Sequence, residues 1–197
     1  MDNILIDKDS DKGGTKMMNN KEFLLRNGNK VVIRNPVLED AEPMIYLVKK
    51  ADTESLFLAR EPGEFNPSIE REQEIIGNVL EDTNSAWFIA EYNGQVVGQG
   101  SVGLIRSYQR YRHRAGVAFV ILKEYWQLGI GGRLMQQCIE WTRGKNVEKL
   151  ELEVVCDNIR ALQMYESFGF KITGTIHKAL KYKDGSYADE YFMELDL

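Results

Sequence analysis

Val120-Ile-Leu-Lys-Glu-Tyr-Trp-Gln-Leu-Gly-Ile-Gly-Gly132 is the stretch on which the reading of this chain turns. An apolar segment, Arg114 to Leu122, reads as a central strand buried on both faces. A short loop then leads into Gly129-x-Gly131-Gly132 and a helical pattern from Gly131 to Arg143, whose core side carries Leu134, Met135, Cys138, Ile139 and Trp141. The first-turn N–H groups of a helix lack intrahelical partners, and the helix dipole makes that end partly positive. Glycines let a pyrophosphate approach those amides with no side chain in the way. They would equally serve a tight strand-to-helix turn with no ligand. A Walker A loop needs Lys and Ser or Thr after its glycines, and Arg133-Leu134 stand there instead. A Rossmann fingerprint wants a third glycine where Leu134 sits, although Glu151 and Glu153 lie near the distance of a ribose-binding acid. Two β segments before the strand, and a single strand–helix–strand unit, count against that rival.

Downstream, Lys149 to Val155 is a strand in which Leu150, Leu152 and Val154 alternate with Glu151 and Glu153. Asp157 or Asn158 caps a further helix that ends at Gly169, and on it Asn158, Ala161, Leu162 and Tyr165 share one side at i, i+3, i+4 and i+7. Capping and core packing account for this second stretch taken alone. A closing hairpin runs from Phe170 to Tyr182 and from Tyr187 to Leu195, turning at Asp184-Gly185. Upstream, the pattern predicts a strand over Lys30 to Arg34, a helix over Leu38 to Ala51 and a second helix opened by Ser68. A hairpin of Ala86 to Tyr92 with Gln95 to Ile105 follows, joined by Asn93-Gly94. Gly98, Gly100 and Gly103 mark bends or close backbone approach on its second strand. Residues 1–22, polar and without periodicity, are expected to be a disordered tail, with Met17-Met18 as an alternative start, and residues 23–197 to form one domain.

Together the two stretches resemble the GNAT (GCN5-related) N-acetyltransferase superfamily. Its order is strand, Q/R-x-x-G-x-G/A loop, helix, strand, then N-x-x-A-x-x-x-Y-x-x-x-G-F. The resemblance covers about residues 30 to 195, with one departure: Trp126 occupies the Q/R position. It implies an α/β fold with a mixed, mostly antiparallel central sheet of six to seven strands, flanking helices and a splayed cofactor cleft. It also implies acetyl-CoA as the acetyl donor. Phe119, Val120 and Ile121 would pair with the pantetheine arm as if adding a strand. Gln127, Leu128, Gly129, Ile130, Gly131 and Gly132 would cradle the pyrophosphate, and Asn158 would reach the pantetheine region. Tyr165 would be the general acid toward the departing sulfur. Since backbone amides hold the phosphates in this picture, Trp126 is expected to alter packing more than cofactor choice.

The base is not identified by pattern: Glu91, Glu151, Glu153, His113 and His177 are all conceivable. Acceptor specificity is expected from the Glu61 to Ile69 loop, the two early helices and the final hairpin. The Lys183-Asp184-Gly185-Ser186-Tyr187 turn resembles that of small-molecule members and favours a small amine over a protein N-terminus. A non-catalytic acyl-CoA sensor of the same fold, and a protein-binding scaffold, are the other readings.

The net charge of −5 over 197 residues and a pI near 5.2 argue against general nucleic-acid binding and suit a cationic acceptor. The Arg- and Tyr-rich segment Arg106 to Arg114 reads as a hairpin connection. Cys138 and Cys156 read as small buried hydrophobes, and no Cys/His cluster points to a metal. No apolar run approaches membrane-spanning length and no signal-peptide h-region is evident, so a cytoplasmic location is expected. The oligomeric state stays open, a homodimer included. The dinucleotide rival is separated by melting curves. At a hundredfold excess over Kd, acetyl-CoA should add about 2.7 kcal/mol to stability, with no comparable shift from NAD or NADP. Stabilisation by the dinucleotides alone would reverse the reading.

Overall fold

Residues 20–197 are described by the structure, a computed structural model; residues 1–19 of the expected tail lie outside the described residues. The strands are β1 (Lys21–Leu24), β2 (Lys30–Arg34), β3 (Ser85–Tyr92), β4 (Gln95–Leu104), β5 (Arg114–Ile121), β6 (Lys149–Val155), β7 (Lys171–Lys181) and β8 (Tyr187–Asp196). They form one 8-stranded sheet in the order β1-β2-β3-β4-β5-β6-β8-β7. Every pairing is antiparallel except β5 with β6. Helices α1 (Ala41–Glu54) and α2 (Ile69–Glu81) pack on one face over Ile89, Val96 and Leu122. Helices α3 (Ile130–Arg143) and α4 (Ile159–Ser167) cover the other face, where Leu134, Met135 and Leu162 meet Val102, Val117, Leu152 and Met193.

Local chemistry accounts for the element ends. Ser68 Oγ accepts a hydrogen bond from the Arg71 amide and caps α2. Asn93 (φ 51°) and Gly94 (φ 77°) make the left-handed two-residue turn that their sequence demands. On β4, a Cβ at Gly100 would stand 2.9 Å from the Phe119 ring and 3.3 Å from Leu134 Cβ. Glycine there lets α3 lie close against the sheet, which brings its N-terminus beside the end of β5.

Two expectations need correction. The sheet has eight strands, not six to seven, because Lys21–Leu24 adds an edge strand antiparallel to β2. Lys21 and Glu22 therefore belong to the folded domain, held by ion pairs to Glu140 and Lys30. The far half of β5 is not buried on both faces: Ala118 is exposed, and Phe119, Val120 and Ile121 are half-buried. Glu151, one of the conceivable bases, is itself buried. It is 3% exposed and makes a two-pronged pair with Arg114, through Nε and through Nη2 at 2.7 Å.

That pair sits where the parallel β5–β6 ladder stops, at Gly116↔Glu151. Removing one partner of a buried pair leaves the other charge desolvated and alone. Arg114→Met should therefore cost about 3 kcal/mol, with Glu151→Gln in the same background recovering part of it. Urea unfolding of the single and double variants measures both; additive losses would show that the pair does not hold this junction.

Candidate functional site

Beyond Gly116↔Glu151 the two parallel strands diverge, while β5 stays paired with β4 as far as Gly98↔Ile121. Strand alternation fixes which backbone groups this releases. Leu122 N–H donates to Val97 O and Arg114 O accepts from Ile105 N–H, so even-numbered residues of β5 bond toward β4. The N–H and C=O groups of Val117, Phe119 and Ile121 consequently point toward the gap left by β6. Val120, expected to pair with a ligand, has its backbone directed to β4 instead and contributes surface only.

The gap opens into a cleft of about 1410 Å³ lined by residues from both faces of the sheet. All the residues expected at the site line it: Phe119, Val120 and Ile121, the loop Gln127 to Gly132, Asn158 and Tyr165. The loop is shaped by left-handed backbone at Gln127 (φ 65°) and Gly129 (φ 97°), the latter capping α3. A Cβ at Gly129 would have no atom within 4 Å, so the space before the helix start is open. The amides of Ile130, Gly131 and Gly132 thus present unpartnered donors at the positive end of a 14-residue helix. Arg26, Arg133 and Arg160 stand around the same end of the cleft. This donor set suits a pyrophosphate.

Gly131 has a second reason to be glycine, since a Cβ there would come 2.7 Å from Met164 Sδ on α4. It serves packing as well as access. Trp126 donates its indole N–H to Ile121 O at 2.7 Å, and the Arg160 guanidinium lies 4.2 Å from its ring centroid. The indole thereby caps the last exposed carbonyl of β5 and seats an arginine beside the loop.

On α4, Asn158 Oδ1 accepts from the Ala161 amide at 3.3 Å, which is the capping role, and leaves its Nδ2 for the cleft. Tyr165 is 8% exposed, packed between Phe119 and Phe170 with centroids 6.4 and 5.8 Å away. Its hydroxyl has no hydrogen-bond partner among the described residues, yet it is not sealed off, because the residue lines the cleft. Burial, with a smaller contribution from nearby Cys138, pushes its pKa up to about 12. The phenol is a proton donor at neutral pH.

On the face of α1 and α2, the cleft is bounded by Ser55, Phe57, Leu58 and Ala59 and by β6 and β8. The Glu61 to Ile69 loop does not line it, which corrects the expectation; Glu61 instead meets Lys183 at 3.5 Å, bracing the hairpin whose Tyr182 hydroxyl donates to Leu56 O. Of the conceivable bases, only Glu151 and Glu153 reach the cleft, and Arg114 holds Glu151. Glu91 pairs with Arg34, His177 lies 2.9 Å from Asp189, and His113 lines a separate surface hollow. Pattern reading missed Leu24 to Arg26, Arg160, Met164, Glu190 and Phe192. The Arg26 amide reaches Leu128 O at 3.3 Å, a contact between segments a hundred residues apart that no local signal foretells.

Residues 45–170 match the family model described as the acetyltransferase (GNAT) family, and the chain belongs to that family. It is 31% identical over 109 residues to an L-amino acid N-acetyltransferase, AaaT, of Escherichia coli, covering 53% of this chain and 64% of the relative. To an L-amino acid N-acyltransferase, MnaT, of the same organism it is 29% identical, over 59% of this chain and 73% of that one. The chain thus spans about two thirds of these relatives' length. An acetyltransferase of the GNAT family from Streptococcus pneumoniae shares the fold with a TM-score of 0.80 at 24% identity, over 85% of this chain and 99% of the other. The Salmonella typhimurium protein yncA, solved with its cofactor acetyl-CoA, superposes with a TM-score of 0.74 at 18% identity, over 85% and 94% of the two chains.

The loop is tested best at Gly132. Its Cβ would meet only the Phe168 ring, at 3.8 Å, and an aspartate in the first helical turn favours the dipole. Gly132→Asp should therefore melt no lower than the parent while acetyl-CoA affinity falls at least about tenfold, equivalent to 1.4 kcal/mol. Titration calorimetry reads the affinity; an unchanged Kd would make the loop a structural turn only.

Proposed function

We propose that this chain is an acetyl-CoA-dependent N-acetyltransferase acting on a primary amine of a small molecule by direct attack on the thioester. The observation that carries the reading is one cleft that joins three features. These are strand groups freed by the β5–β6 divergence, the glycine-opened start of α3, and the unpartnered Tyr165 hydroxyl. The relatives' names, which specify L-amino acids, support a small amine as acceptor. A cytoplasmic location is part of the same proposal.

Gln127 to Gly132 and the arginines would hold the pyrophosphate, and the freed groups of Phe119 with the Ile121 N–H would take the pantetheine arm. Bound there, acetyl-CoA supplies a thioester carbonyl open to a neutral amine, with CoA leaving as a thiolate. An N–H of β5 aimed into the gap polarises the carbonyl oxygen, and its benefit is largest away from bulk water. The amine surrenders its surplus proton to water in the open half of the cleft. Tyr165 donates a hydrogen bond to the sulfur as negative charge builds on it. Its pKa of about 12 exceeds the roughly 8.5 of an ordinary thiol, so complete proton transfer is uphill and hydrogen bonding is the larger part of its role.

Tyr165→Phe removes the hydroxyl and leaves the ring packing. The expected result is a fall in kcat of about ten- to a hundredfold, the lower range of general-acid contributions, with acetyl-CoA affinity nearly unchanged. Steady-state kinetics with a thiol reagent, under conditions where chemistry limits turnover, measures it. A folded variant with parental kcat would assign Tyr165 to packing. Binding of acetyl-CoA without turnover of any amine would favour the sensor.

A further inference from the structure

Charge is divided across the cleft. Its cationic lining residues, Arg26, Arg133 and Arg160, all belong to the half beside the start of α3. Its carboxylates, Glu54, Glu151, Glu153 and Glu190, all belong to the other half, on the face of α1 and α2. Two of these are already neutralised. Glu151 is held by Arg114, and Glu54 accepts from the Lys123 amide at 2.8 Å and meets Lys50 at 3.8 Å. Glu153 and Glu190 have no cationic partner among the described residues.

The register makes these two a pair. Val155 faces Glu190 and Glu153 faces Phe192 across the β6–β8 ladder, so Glu153 and Glu190 are diagonal neighbours on one face. Burial first, and the charge of Glu153 second, raise the pKa of Glu190, as expected of like charges left without a counter-ion. A second feature calls for a ligand in the same cleft, from the α3/α4 side. The Tyr165 side chain, more than nine-tenths buried and without a hydrogen-bond partner among the described residues, lines the cleft that the pair also lines.

Resting on the acetyl-transfer reading, we infer that Glu153 and Glu190 bind a second cationic group of the acceptor, making the substrate class a di- or polyamine and not a free amino acid. The reacting nitrogen must be neutral to attack, so it cannot be the lasting counter-charge of the pair. A distal ammonium can. An amino-acid carboxylate would instead enter a half-cleft whose unpaired charges are both negative, and like charges in a partly desolvated site repel. Arg114, on that face, is committed to Glu151. This assigns an acceptor different from that in the names of the E. coli relatives.

The test compares 1,4-diaminobutane with 4-aminobutanoate, amines of similar length and basicity whose far ends carry opposite charge, with butylamine and L-leucine as references. Expected is a kcat/KM for 1,4-diaminobutane at least about tenfold above that for 4-aminobutanoate, with butylamine between. In Glu153→Gln and Glu190→Gln that ratio should collapse toward one. Calorimetric binding of 1,4-diaminobutane should weaken at least about tenfold in the double variant, whose melting curve checks that it is folded. Equal or better turnover of 4-aminobutanoate or L-leucine would overturn the inference. So would a ratio unmoved by both variants, or no binding of 1,4-diaminobutane to a protein that binds acetyl-CoA. Failure of acetyl-CoA to bind would instead sink the acetyl-transfer reading, and the diamine calorimetry on the free protein still decides the role of the carboxylate pair.

Discussion

A parallel pair of strands that stops after Gly116↔Glu151 is the constraint on which the rest of this molecule depends. Backbone groups inside a sheet are ordinarily satisfied by neighbours, and an unpaired row is costly unless water or a ligand reaches it. Here β5 keeps its antiparallel partner β4 on one side and loses β6 on the other. The gap is therefore both an energetic debt and an opening. Buried Glu151 and its partner Arg114 stand at its apex, and Trp126 satisfies the carbonyl at its far end through the indole N–H.

The divergence also brings distant segments to one place. Because β6 leans away, the crossover helix α3 can start beside the end of β5, and α4 can set Tyr165 against the cleft. Glycines at 100 and 131 set the distances, one admitting Leu134 and Phe119 and the other admitting Met164. Each contact is ordinary packing. Their sum leaves helix-end amides, strand amides and one phenol facing the same volume without competing partners.

Electrostatics then divides the volume. The dipole of α3 and three arginines make one half attractive to an anion, whereas the other half exposes carboxylates on a chain of net charge −5. Since the two halves lie on opposite faces of the sheet, they act on different parts of what binds. Association can be steered from both ends with little cross-talk, since exposed charges separated by more than about 8–10 Å are largely screened in physiological salt.

How much of this was legible in the sequence follows from how local each cause is. Element types came from periodicity and turn chemistry: the Ser68 cap, the Asn93-Gly94 turn, the strand Lys149–Val155 and the helix after Asn158 all follow from neighbours within a few residues. The loop glycines stood out because a helix start is local geometry, whereas Tyr165 was singled out only by the resemblance, since packing accounts for its i+7 spacing. The edge strand β1 was missed because Lys21–Leu24 is too short to show a period and is extended only through pairing with β2. Burial of Glu151, and the vacancy of Glu153 and Glu190, could not be read from alternation. Whether a carboxylate on a strand meets a cation, another carboxylate or water depends on which strand lies beside it, and the order β5-β6-β8 joins segments dozens of residues apart. The sequence by itself thus determined the elements and the glycine-opened helix start, because those rest on hydrogen bonds among near neighbours. The tertiary structure alone decided the cleft's second half and its charge, because those rest on side chains that meet only after the chain has crossed the sheet and returned.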